Sequence, residues 1–364
     1  MKLIQLQATN LRNLSNVSLD LDQGLNLFCG PNGSGKTSLL ESVYYLGTGR
    51  SFRGVQIDPI IQRSESHCLV TGTVLVIDQH TVRLGVQRDE SGRRLIRVDG
   101  ETCRHASELA RYLPSLLLGP STVELLTGSP GLRRNFLNWG VFHVKPQFSE
   151  LWREGVRTLR QRNAILREGG SPQELGVWTK RLADVGNQIH EARQDYFELF
   201  LPVFSKTYHF LMQLEGVKCS YRKGWAQDRA LIDVFDDQLE SDRQRRFTQS
   251  GFQRADIRLT IEGSPVAQIC SRGELKLLSW AMVLAQGIVL SQKMNSNAIF
   301  LVDDLAAELD EQHQTAIAQL LVEQGGQVLV TGTDSKRLKG LWGKVSRKLF
   351  HVEQGEIREQ ELSE

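Results

Sequence analysis

The sequence has 364 residues, of which 40% are hydrophobic and 24% are charged, so the chain can bury a large core and form two or three lobes. With a net charge of only +2, overall charge gives no reason to expect a nucleic-acid or membrane partner, and any basic surface must be local. The five cysteines are scattered and never spaced as C-x-x-C, which argues against a zinc site or a disulfide framework. We find no signal peptide and no run of about 18 apolar residues, and we therefore expect a soluble cytoplasmic protein.

Three strand-like stretches begin the chain. Residues 2–8 and 17–21 alternate apolar and polar side chains, and residues 25–29 form an apolar run. We expect these strands to meet and to form one sheet edge below the loop that follows. Arg12 lies between the first two strands, where it would either approach a nucleotide base or stay in a solvated turn.

The residues after the third strand fit the phosphate-binding pattern G-x-x-x-x-G-K-[ST]. Gly30, Gly33 and Gly35 can adopt positive φ angles that turn backbone N–H groups toward phosphate oxygens. Lys36 would reach the β- and γ-phosphates, and the Thr37 hydroxyl would bind Mg²⁺. Apolar residues at helical spacing predict a helix over 35–46, whose N-terminus favours anions. The predicted ATP-binding residues of the loop are Gly30, Pro31, Asn32, Gly33, Ser34, Gly35, Lys36, Thr37 and Ser38.

The middle of the chain changes from strand to helix. Residues 68–77, 81–86 and 95–98 predict an antiparallel meander, and helix predominates from about residue 105. A break at 169–172 divides the helical stretch 146–201 into a hairpin with arms of about 20 to 30 residues.

Arginines are frequent in this helical part. Arg153, Arg157 and Arg160 have the i, i+4, i+7 spacing of one helix face, which can follow a phosphate backbone. The same face could instead be solvated and pair with glutamates such as Glu150 and Glu154. We treat these three arginines as candidate DNA contacts. The other arginines of this group and of a second one are Arg133, Arg134, Arg162, Arg167, Arg243, Arg245, Arg246 and Arg254.

Two acidic residues follow a second buried strand. Residues 298–302 form an apolar run that ends at Asp303 and Asp304. Carboxylates in such a place are costly unless they hold a metal ion or a reacting water. We predict that Asp303 holds Mg²⁺, directly or through water, and that Asp304 orients or deprotonates the attacking water while Lys36 binds the phosphates.

An almost entirely apolar helix precedes that strand. It begins at Ser271-Arg272-Gly273-Glu274, where Ser-x-x-Glu would form a capping box. A glycine-bearing helix start shortly before an acidic strand end is also the order found in ABC-type ATPases. In those proteins the helix N-terminus faces the γ-phosphate of a nucleotide that a second subunit holds.

The last predicted strand, residues 327–330, ends at Thr331, which is our candidate for a γ-phosphate sensor. Lys36 and Asp303 are far apart in the chain but must meet one nucleotide. We therefore expect both to belong to a single nucleotide-binding sheet, with the residues between them as an insertion. We predict an α/β fold in which residues 1–105 and 256–364 form lobe I. Residues 106–255 form a mostly helical lobe II.

Together these motifs resemble the RecF family of bacterial recombination-mediator ATPases and, more broadly, the heads of SMC-type proteins. The resemblance covers most of the chain, and the motifs are highly specific as a set. It is carried by residues 11–13, 30–37, 49–53, 133–140, 271–278 and 302–310.

The resemblance implies an ABC/SMC-type P-loop ATPase head with an antiparallel β-subdomain and an inserted, mostly helical second lobe. It implies an ATP-dependent DNA-binding protein that uses ATP and Mg²⁺ and dimerises on ATP, with Ser271 and Gly273 reaching the nucleotide of the second subunit and Ser271 acting there in trans. Members of the family act at gapped DNA or at junctions of single and double strands. They load recombinase with RecO and RecR proteins, and they serve in replication-fork repair and the SOS response.

The chain departs from the usual ABC pattern at several points. The signature reads Cys270-Ser271-Arg272-Gly273-Glu274 in place of Leu-Ser-Gly-Gly-Gln, and Asp304 stands where a glutamate is usual. From this shorter carboxylate we predict a weak, DNA-stimulated ATPase whose slow hydrolysis acts as a timer. Thr331 replaces the histidine expected after the last strand, and Gln62 is a candidate for the glutamine of the γ-phosphate-sensing loop.

Other functions are open to the same motifs. An ABC-type subunit could instead drive a transport partner or a chromosome-organising partner. The long insert at 100–260 and the altered signature argue against transport, and 364 residues leave no room for the coiled coils of a chromosome-organising head. A P-loop kinase would need an acceptor site and a lid, which nothing between residues 37 and 303 suggests. ATPase activity that rises with DNA, with membrane components or with neither would discriminate among these functions.

Overall fold

The backbone of the computed structural model divides into two units. The structure describes residues 1–53, 60–76, 80–294, 296–343 and 345–360. Unit 1 consists of Met1–Thr122 and Trp280–Glu364, and unit 2 consists of Val123–Ser279.

Both units contain strands and helices. The elements of unit 1 before residue 122 are, in chain order, β1 Lys2–Leu11, β2 Leu14–Asp20, β3 Leu25–Cys29, α1 Lys36–Thr48, β4 His67–Leu75, β5 Thr81–Asp89, β6 Arg94–Val98, β7 Glu101–Cys103, α2 Ser107–Tyr112 and β8 Ser115–Leu118. Unit 2 contains α3 Glu124–Thr127, α4 Pro130–Val144, α5 Phe148–Glu168, α6 Pro172–Leu211, β9 Lys218–Arg222, α7 Leu231–Asp237, α8 Leu239–Arg245, β10 Asp256–Ile261, β11 Ser264–Pro265 and α9 Val266–Ile269. Helix α10, Arg272–Met294, begins in unit 2 and ends in unit 1. Unit 1 is completed by β12 Ile299–Val302, α11 Leu305–Glu308, α12 Glu311–Glu323, β13 Gln327–Gly332, α13 Ser335–Gly340, β14 Arg347–Glu353 and β15 Glu356–Gln360.

The first sheet of unit 1 is antiparallel, with six strands in the order β2-β1-β4-β5-β6-β7. Alternate residues of β4 are buried, and the buried faces of these strands pack in one core with Leu39 and Val43 of α1. The predicted meander is confirmed, although Ile77, the last residue of its first predicted strand, lies outside the described residues. The predicted meeting of β1 and β2 with β3 is wrong, because β1 pairs with β2 and β4. Alternating strands suit a sheet with one buried face, whereas β3 is buried at all five positions.

The second sheet of unit 1 is mostly parallel and has the order β15-β14-β3-β13-β12-β8. β3, β12 and β13 are buried at every residue, as parallel strands covered on both faces are. β13 pairs in parallel with both β3 and β12, so the carboxyl ends of all three strands lie at one edge of the sheet. This pairing brings the loop after β3 beside the acidic residues after β12.

Unit 2 combines several helices with a three-stranded antiparallel sheet of order β11-β10-β9. The predicted helical hairpin is present: α5 ends at Glu168 and is followed by the C-cap Gly169, whose φ of 76° is left-handed, and α6 begins at Pro172 with Ser171 as its N-cap. Helix α6 has 40 residues, which is longer than the predicted arm. It extends because its buried aromatic face continues through Phe204 and Tyr208.

The two units do not begin and end where the predicted lobes do. β8 pairs with β12 in the parallel sheet, which keeps the chain in unit 1 as far as Thr122. β10 pairs with β9 and β11, which keeps it in unit 2 as far as Ser279. The lobe boundaries predicted at 105/106 and 255/256 therefore move to 122/123 and 279/280, since strand pairing rather than local composition decides which unit a segment joins.

Helix α10 is the one described helix that is long and apolar enough to cross a membrane. Of its most apolar window, 78% is buried inside the protein. Trp280, Met282 and Leu284 of this helix are fully buried, as in the core helix of a folded domain.

Candidate functional site

The loop between β3 and α1 has the backbone conformation of a phosphate-binding loop. Gly33 and Gly35 have φ angles of 80° and 117°, in the left-handed region that glycine enters without strain. Gly30 was expected to share this conformation but does not. A Cβ at Gly30 would lie 2.0 Å from the carbonyl oxygen of Val352, so glycine is required there because β14 approaches the loop closely.

Helix α1 presents an uncapped N-terminus to this loop. Gly35 is its N-cap, no described side chain caps it, and its first turn contains no acidic residue. Its free N–H groups and its dipole therefore favour an anion. Lys36 Nζ donates hydrogen bonds to the carbonyl oxygens of Gly30 (2.8 Å) and Pro31 (2.9 Å), and burial lowers its pKa. The ammonium group thus lies against the loop that would hold the phosphates.

Thr37 and Asp303 meet although 266 residues separate them. Thr37 Oγ1 donates a 3.0 Å hydrogen bond to Asp303 Oδ1. Burial raises the pKa of Asp303, and hydrogen bonds from Thr331 and Thr37 oppose that rise. A hydroxyl beside one carboxylate fits Mg²⁺, which takes oxygen ligands and keeps water and phosphate oxygens in its shell. The described residues contain no group of three acidic, histidine or cysteine side chains that would hold a metal without such help.

Two features of Asp304, its backbone conformation and the surroundings of its carboxylate, are energetically unfavourable, and packing does not explain them. Its φ of 51° is left-handed, an unfavourable conformation for a residue with a Cβ. Its Oδ1 atom is buried and has no hydrogen-bond partner among the described residues. A buried carboxylate oxygen without a partner is costly, and it is free to accept a hydrogen bond from a water or a ligand.

Thr331 joins the side chain of Asp303 to the backbone of Asp304. Its side chain is fully buried; Oγ1 donates to Asp303 Oδ1 at 2.9 Å and accepts from the backbone N–H of Asp304 at 2.8 Å. It is not on the wall of the cavity that contains both aspartates. We therefore interpret Thr331 as a residue that positions the two aspartates rather than one that contacts a γ-phosphate, because its single O–H donor, which a phosphate oxygen would need, already bonds to Asp303.

A cavity of about 590 Å³ opens over the loop and the two aspartates, within the range of small-ligand sites. The predicted residues on its described wall are Arg12, Asn32, Gly33, Gly35, Lys36, Thr37, Ser38, Gln62, Asp303 and Asp304. Gly30, Pro31 and Ser34 are not on it. Gln62 Nε2 donates to Ser15 Oγ at 3.0 Å, and its sensing role stays a prediction. Wall residues that the sequence analysis missed are Asn13, Arg53, Ile61 and Arg63.

Glu41 of α1 organises two of the arginines on this wall, and the sequence analysis did not identify it. Its side chain is fully buried. Arg12 Nε and Nη2 donate to its two carboxylate oxygens at 3.0 Å and 2.9 Å, and Arg53 Nε lies 3.4 Å from it. Ser51 Oγ also donates to it. This ion-paired arrangement fixes Arg12 at the cavity, rather than leaving it in a solvated turn.

The hairpin of β14 and β15 supports the phosphate-binding loop. Its two-residue turn is Gln354-Gly355, with φ angles of 48° and 84°, as in a type I′ turn. The N–H of Gly355 donates to the carbonyl oxygen of Ser34 at 2.7 Å. A Cβ at Gly355 would lie 2.1 Å from the carbonyl oxygen of Asn13. Only glycine therefore allows the turn to approach the loop this closely.

Comparisons with known proteins agree with this geometry. The family described as RecF/RecN/SMC N terminal domain matches residues 2–358. The protein named DNA replication and repair protein RecF from Stutzerimonas stutzeri (strain A1501) is 43% identical over 98% of this chain and 97% of its own length. The protein of the same name from Pseudomonas putida (strain KT2440) is 43% identical over 98% of each chain. The chain belongs to the RecF family.

Solved structures show the same fold. The structure of the recombination mediator protein RecF with ATP, of the RecFOR pathway, is similar with a TM-score of 0.86 at 23% identity, over 99% of this chain and 98% of that one. An Smc head bound to the C-winged helix domain of ScpA is similar with a TM-score of 0.58 at 16% identity, over 100% and 98%. The fold is thus an ABC/SMC-type head with antiparallel and parallel sheets.

The RecF-type signature lies in unit 2 at the start of α10. Ser271 and Glu274 form the predicted capping box: the N–H and Oγ of Ser271 donate to Glu274 Oε2 at 2.7 Å and 2.8 Å, and Glu274 N–H donates to Ser271 Oγ at 3.3 Å. These bonds lower the pKa of Glu274. Ser271 and Gly273 are exposed, and a Cβ at Gly273 would meet nothing within 4 Å. Their predicted contact with the nucleotide of a second subunit stays a prediction.

The arginines of unit 2 separate into exposed and structural ones. Arg153, Arg157 and Arg160 are exposed on α5, so their predicted DNA contact stays a prediction. Arg153 lies 3.9 Å from Glu150, whereas Glu154 pairs with Arg181. Arg162 is structural: it is fully buried, donates to Asp242 Oδ2 at 2.7 Å and lies over the ring of Phe235.

Proposed function

We propose that the protein is an ATP-dependent DNA-binding protein of recombinational repair and replication-fork maintenance. The observation that carries the proposal is the hydrogen bond from Thr37 to Asp303, which joins the phosphate-binding loop to the acidic strand end over one cavity. RecF relatives that are 43% identical over nearly the full chain are named DNA replication and repair proteins, which supports the biological role.

ATP would bind with its phosphates in the loop of Gly30 to Ser38. The glycines and the N-terminus of α1 supply N–H groups, and Lys36 supplies a positive charge for the β- and γ-phosphates. Thr37 and Asp303 would hold Mg²⁺, which when bound neutralises charge on the phosphate oxygens. Arg12, held by Glu41, faces the same cavity.

Hydrolysis would use Asp304 as the group that orients the water and accepts its proton. The water oxygen attacks the γ-phosphorus, the bond from that phosphorus to the β–γ bridging oxygen breaks, and ADP leaves. The unpartnered Oδ1 of Asp304 supports this role. Because aspartate is one methylene shorter than the usual glutamate, we expect slow hydrolysis that times a bound state, and we expect DNA to stimulate it.

A second copy of the chain would complete the site. Ser271 and Gly273 are exposed at the N-terminus of a 23-residue helix, where they are free to meet the γ-phosphate of nucleotide held by another subunit, Ser271 acting in trans. The capping box occupies the hydroxyl of Ser271, which donates to Glu274 Oε2. Because this side chain is exposed, in contrast to the buried Thr331, its hydroxyl would turn from Glu274 to the phosphate of the second subunit without unfolding the helix start. ATP would therefore promote dimers.

The DNA partner would be gapped duplex or a junction of single and double strands, with RecO- and RecR-type proteins as mediators that load recombinase. Exposed Arg153, Arg157 and Arg160 would contribute contacts to phosphates. The work would take place in the cytoplasm and contribute to the SOS response. All five cysteines are free thiols, which suits a reducing compartment.

The test is DNA binding with and without ATP. Fluorescently labelled gapped duplex is titrated with the wild-type chain and with Lys36→Ala, each with ATP and Mg²⁺, with ADP, or without nucleotide. We expect tight binding only for the wild type with ATP. Equal affinity of Lys36→Ala and the wild type in ATP would show that DNA binding does not depend on this site.

A further inference from the structure

A second cavity, within unit 2, has four arginines on its wall. It has a volume of about 580 Å³, and its wall includes Arg134, Arg222, Arg254 and Arg258 together with the start of α4. We call it the arginine cavity. Among its described wall residues, Asp256 is the one that carries a carboxylate.

The charge of Asp256 is already compensated by an arginine outside the cavity wall. Arg133 Nε and Nη2 donate to the two carboxylate oxygens of Asp256 at 2.7 Å and 3.2 Å. Both side chains are nearly buried, at 13% and 10% exposed, so this bidentate pair is held firmly. Arg258 lies 3.8 Å from the same carboxylate. Because the carboxylate of Asp256 is already paired with Arg133, it compensates little of the positive charge of the cavity arginines.

The three-stranded sheet places two of the arginines on one face. β9 and β10 are antiparallel, and Arg222 is directly opposite Asp256. Arg258 follows Asp256 by two residues on β10, so all three side chains lie on the same face. Arg222 and Arg258 are diagonal neighbours, a relation that places such residues roughly 7–8 Å apart. Both are exposed, and at this separation each arginine fork can bind a phosphate group of its own along a nucleic-acid backbone.

The N-terminus of helix α4, which is the positive end of the helix dipole, also lies on the wall of the arginine cavity. The helix has 15 residues, and its N-cap Ser129 makes no capping hydrogen bond with its side chain; its first turn contains no acidic residue. Arg134 Nη1 donates to the carbonyl oxygen of Ala255 at 3.1 Å, which holds this arginine at the cavity. Burial lowers its pKa, and the charges of Arg254 and Arg133 act in the same direction against the opposing charge of Asp256. The folded chain thus keeps several positive charges close together, and an anion would relieve their repulsion.

We propose that the arginine cavity binds the phosphodiester backbone of DNA, a contact that rests on the DNA-binding function proposed above. Arg222, Arg254 and Arg258 are exposed around the opening, so a long polyanion can pass over them. Arginine forks match phosphate oxygens, and such contacts fix the position of DNA without reading its sequence. The sequence motif Arg133-Arg134 then has two functions: Arg133 holds Asp256, and Arg134 faces the phosphate.

The salt dependence of DNA binding tests this contact in the full chain with ATP and Mg²⁺. Each lost phosphate contact lowers the slope of log K against log salt by about 0.9 for duplex DNA. The double variant Arg222→Gln/Arg258→Gln should therefore reduce the slope by about 1.8 and weaken binding on the order of 10–100-fold at about 0.1 M salt. Arg222→Lys/Arg258→Lys keeps both charges and should keep a slope close to that of the wild type.

The control removes two other exposed arginines of unit 2. Arg229 pairs with Asp237 at 2.6 Å and Arg243 pairs with Glu240 at 2.9 Å, so Arg229→Gln/Arg243→Gln changes the net charge equally without touching the cavity. It should leave the slope unchanged.

Each outcome decides a separate point. If the wild type binds DNA and Arg222→Gln/Arg258→Gln keeps its slope, the cavity does not contact the backbone and this inference falls alone. In another outcome, inorganic pyrophosphate stabilises the wild type against heat but not Arg222→Gln/Arg258→Gln. If the variant nevertheless keeps the salt slope of the wild type, the cavity binds a free phosphate compound and the DNA contact is refuted. If the wild type binds no DNA at any salt concentration, the proposed function fails together with this contact.

Discussion

Replacing Thr331 with valine tests whether this residue positions the two aspartates or touches a phosphate. Valine has nearly the same shape as threonine, so the fully buried site keeps its packing. The change removes the donor to Asp303 Oδ1 and the acceptor for the N–H of Asp304. It also removes a hydrogen bond that lowers the pKa of Asp303, so protonation of that carboxyl should compete more strongly with Mg²⁺.

The expected magnitudes follow from these two bonds. A hydrogen bond to a carboxylate contributes about 1.5–3 kcal/mol, and a buried N–H left without a partner costs about 1–3 kcal/mol. Loss of a side chain that orients a metal ligand typically weakens metal binding about 10–100-fold. We therefore expect Thr331→Val to lower stability by about 2.5–6 kcal/mol and to raise the Mg²⁺ concentration for half-maximal ATP hydrolysis about 10–100-fold.

The assay measures ATPase rate against Mg²⁺ concentration, together with binding of a fluorescent ATP analogue in competition with ATP and ADP. Thr331→Ser keeps the hydroxyl and is the control, which should retain the Mg²⁺ dependence of the wild type. An unchanged Mg²⁺ dependence in Thr331→Val, with loss of discrimination between ATP and ADP, would show that Thr331 senses the γ-phosphate directly.

Three further changes test buried ionisable side chains. Glu41→Gln leaves Arg12 without its buried carboxylate, so we expect weaker ATP binding in titrations and a loss of about 3–5 kcal/mol in stability; unchanged ATP affinity would show that the pair does not position Arg12. Asp242→Asn leaves the fully buried Arg162 without a carboxylate, which should cost about 3–5 kcal/mol in denaturant unfolding. The exposed control Asp237→Asn should cost at most about 1 kcal/mol, and equal losses would refute the difference in burial. Burial lowers the pKa of His143 from 6.5 to about 3, so the unfolded chain binds the proton first and stability falls as pH drops through 6.5. The loss should be about 1.4 kcal/mol between about pH 7.5 and 5.5, and His143→Gln should remove that part of the pH dependence; an identical pH dependence in the variant would contradict it.

The sequence predicted the centre of the site because its chemistry is local. The phosphate-binding loop lies between an apolar run and a helical pattern, and Asp303 and Asp304 follow another apolar run, so each segment indicates its own role. The meander and the helical hairpin were also predictable, since periodicity and turn residues mark them. The capping box of Ser271 and Glu274 is a pattern of four consecutive residues and forms as predicted.

The rest depends on contacts between distant segments. Glu41 looks like any glutamate on a helix, and its burial follows from the approach of Arg12 and Arg53. Gly355 looks like an ordinary hairpin glycine, but its N–H bonds to the loop more than 300 residues earlier. Thr331 was assigned by analogy with other strand ends, and only the pairing of β12 with β13 brings its hydroxyl to Asp303. Local patterns also cannot tell which sheet a strand joins, which is why the pairing of β1 and β2 with β3 was predicted wrongly.

Mass in solution by light scattering tests most directly whether two copies of the chain build one ATP site. We would measure Asp304→Asn, chosen to slow hydrolysis, with ATP and Mg²⁺ and without nucleotide, and compare it with Asp304→Asn/Ser271→Arg. The account predicts monomers without nucleotide, dimers of Asp304→Asn with ATP, and monomers of the double variant that still bind ATP. Asp304→Asn that stays monomeric while saturated with ATP, or a double variant that forms dimers equally well, would contradict it.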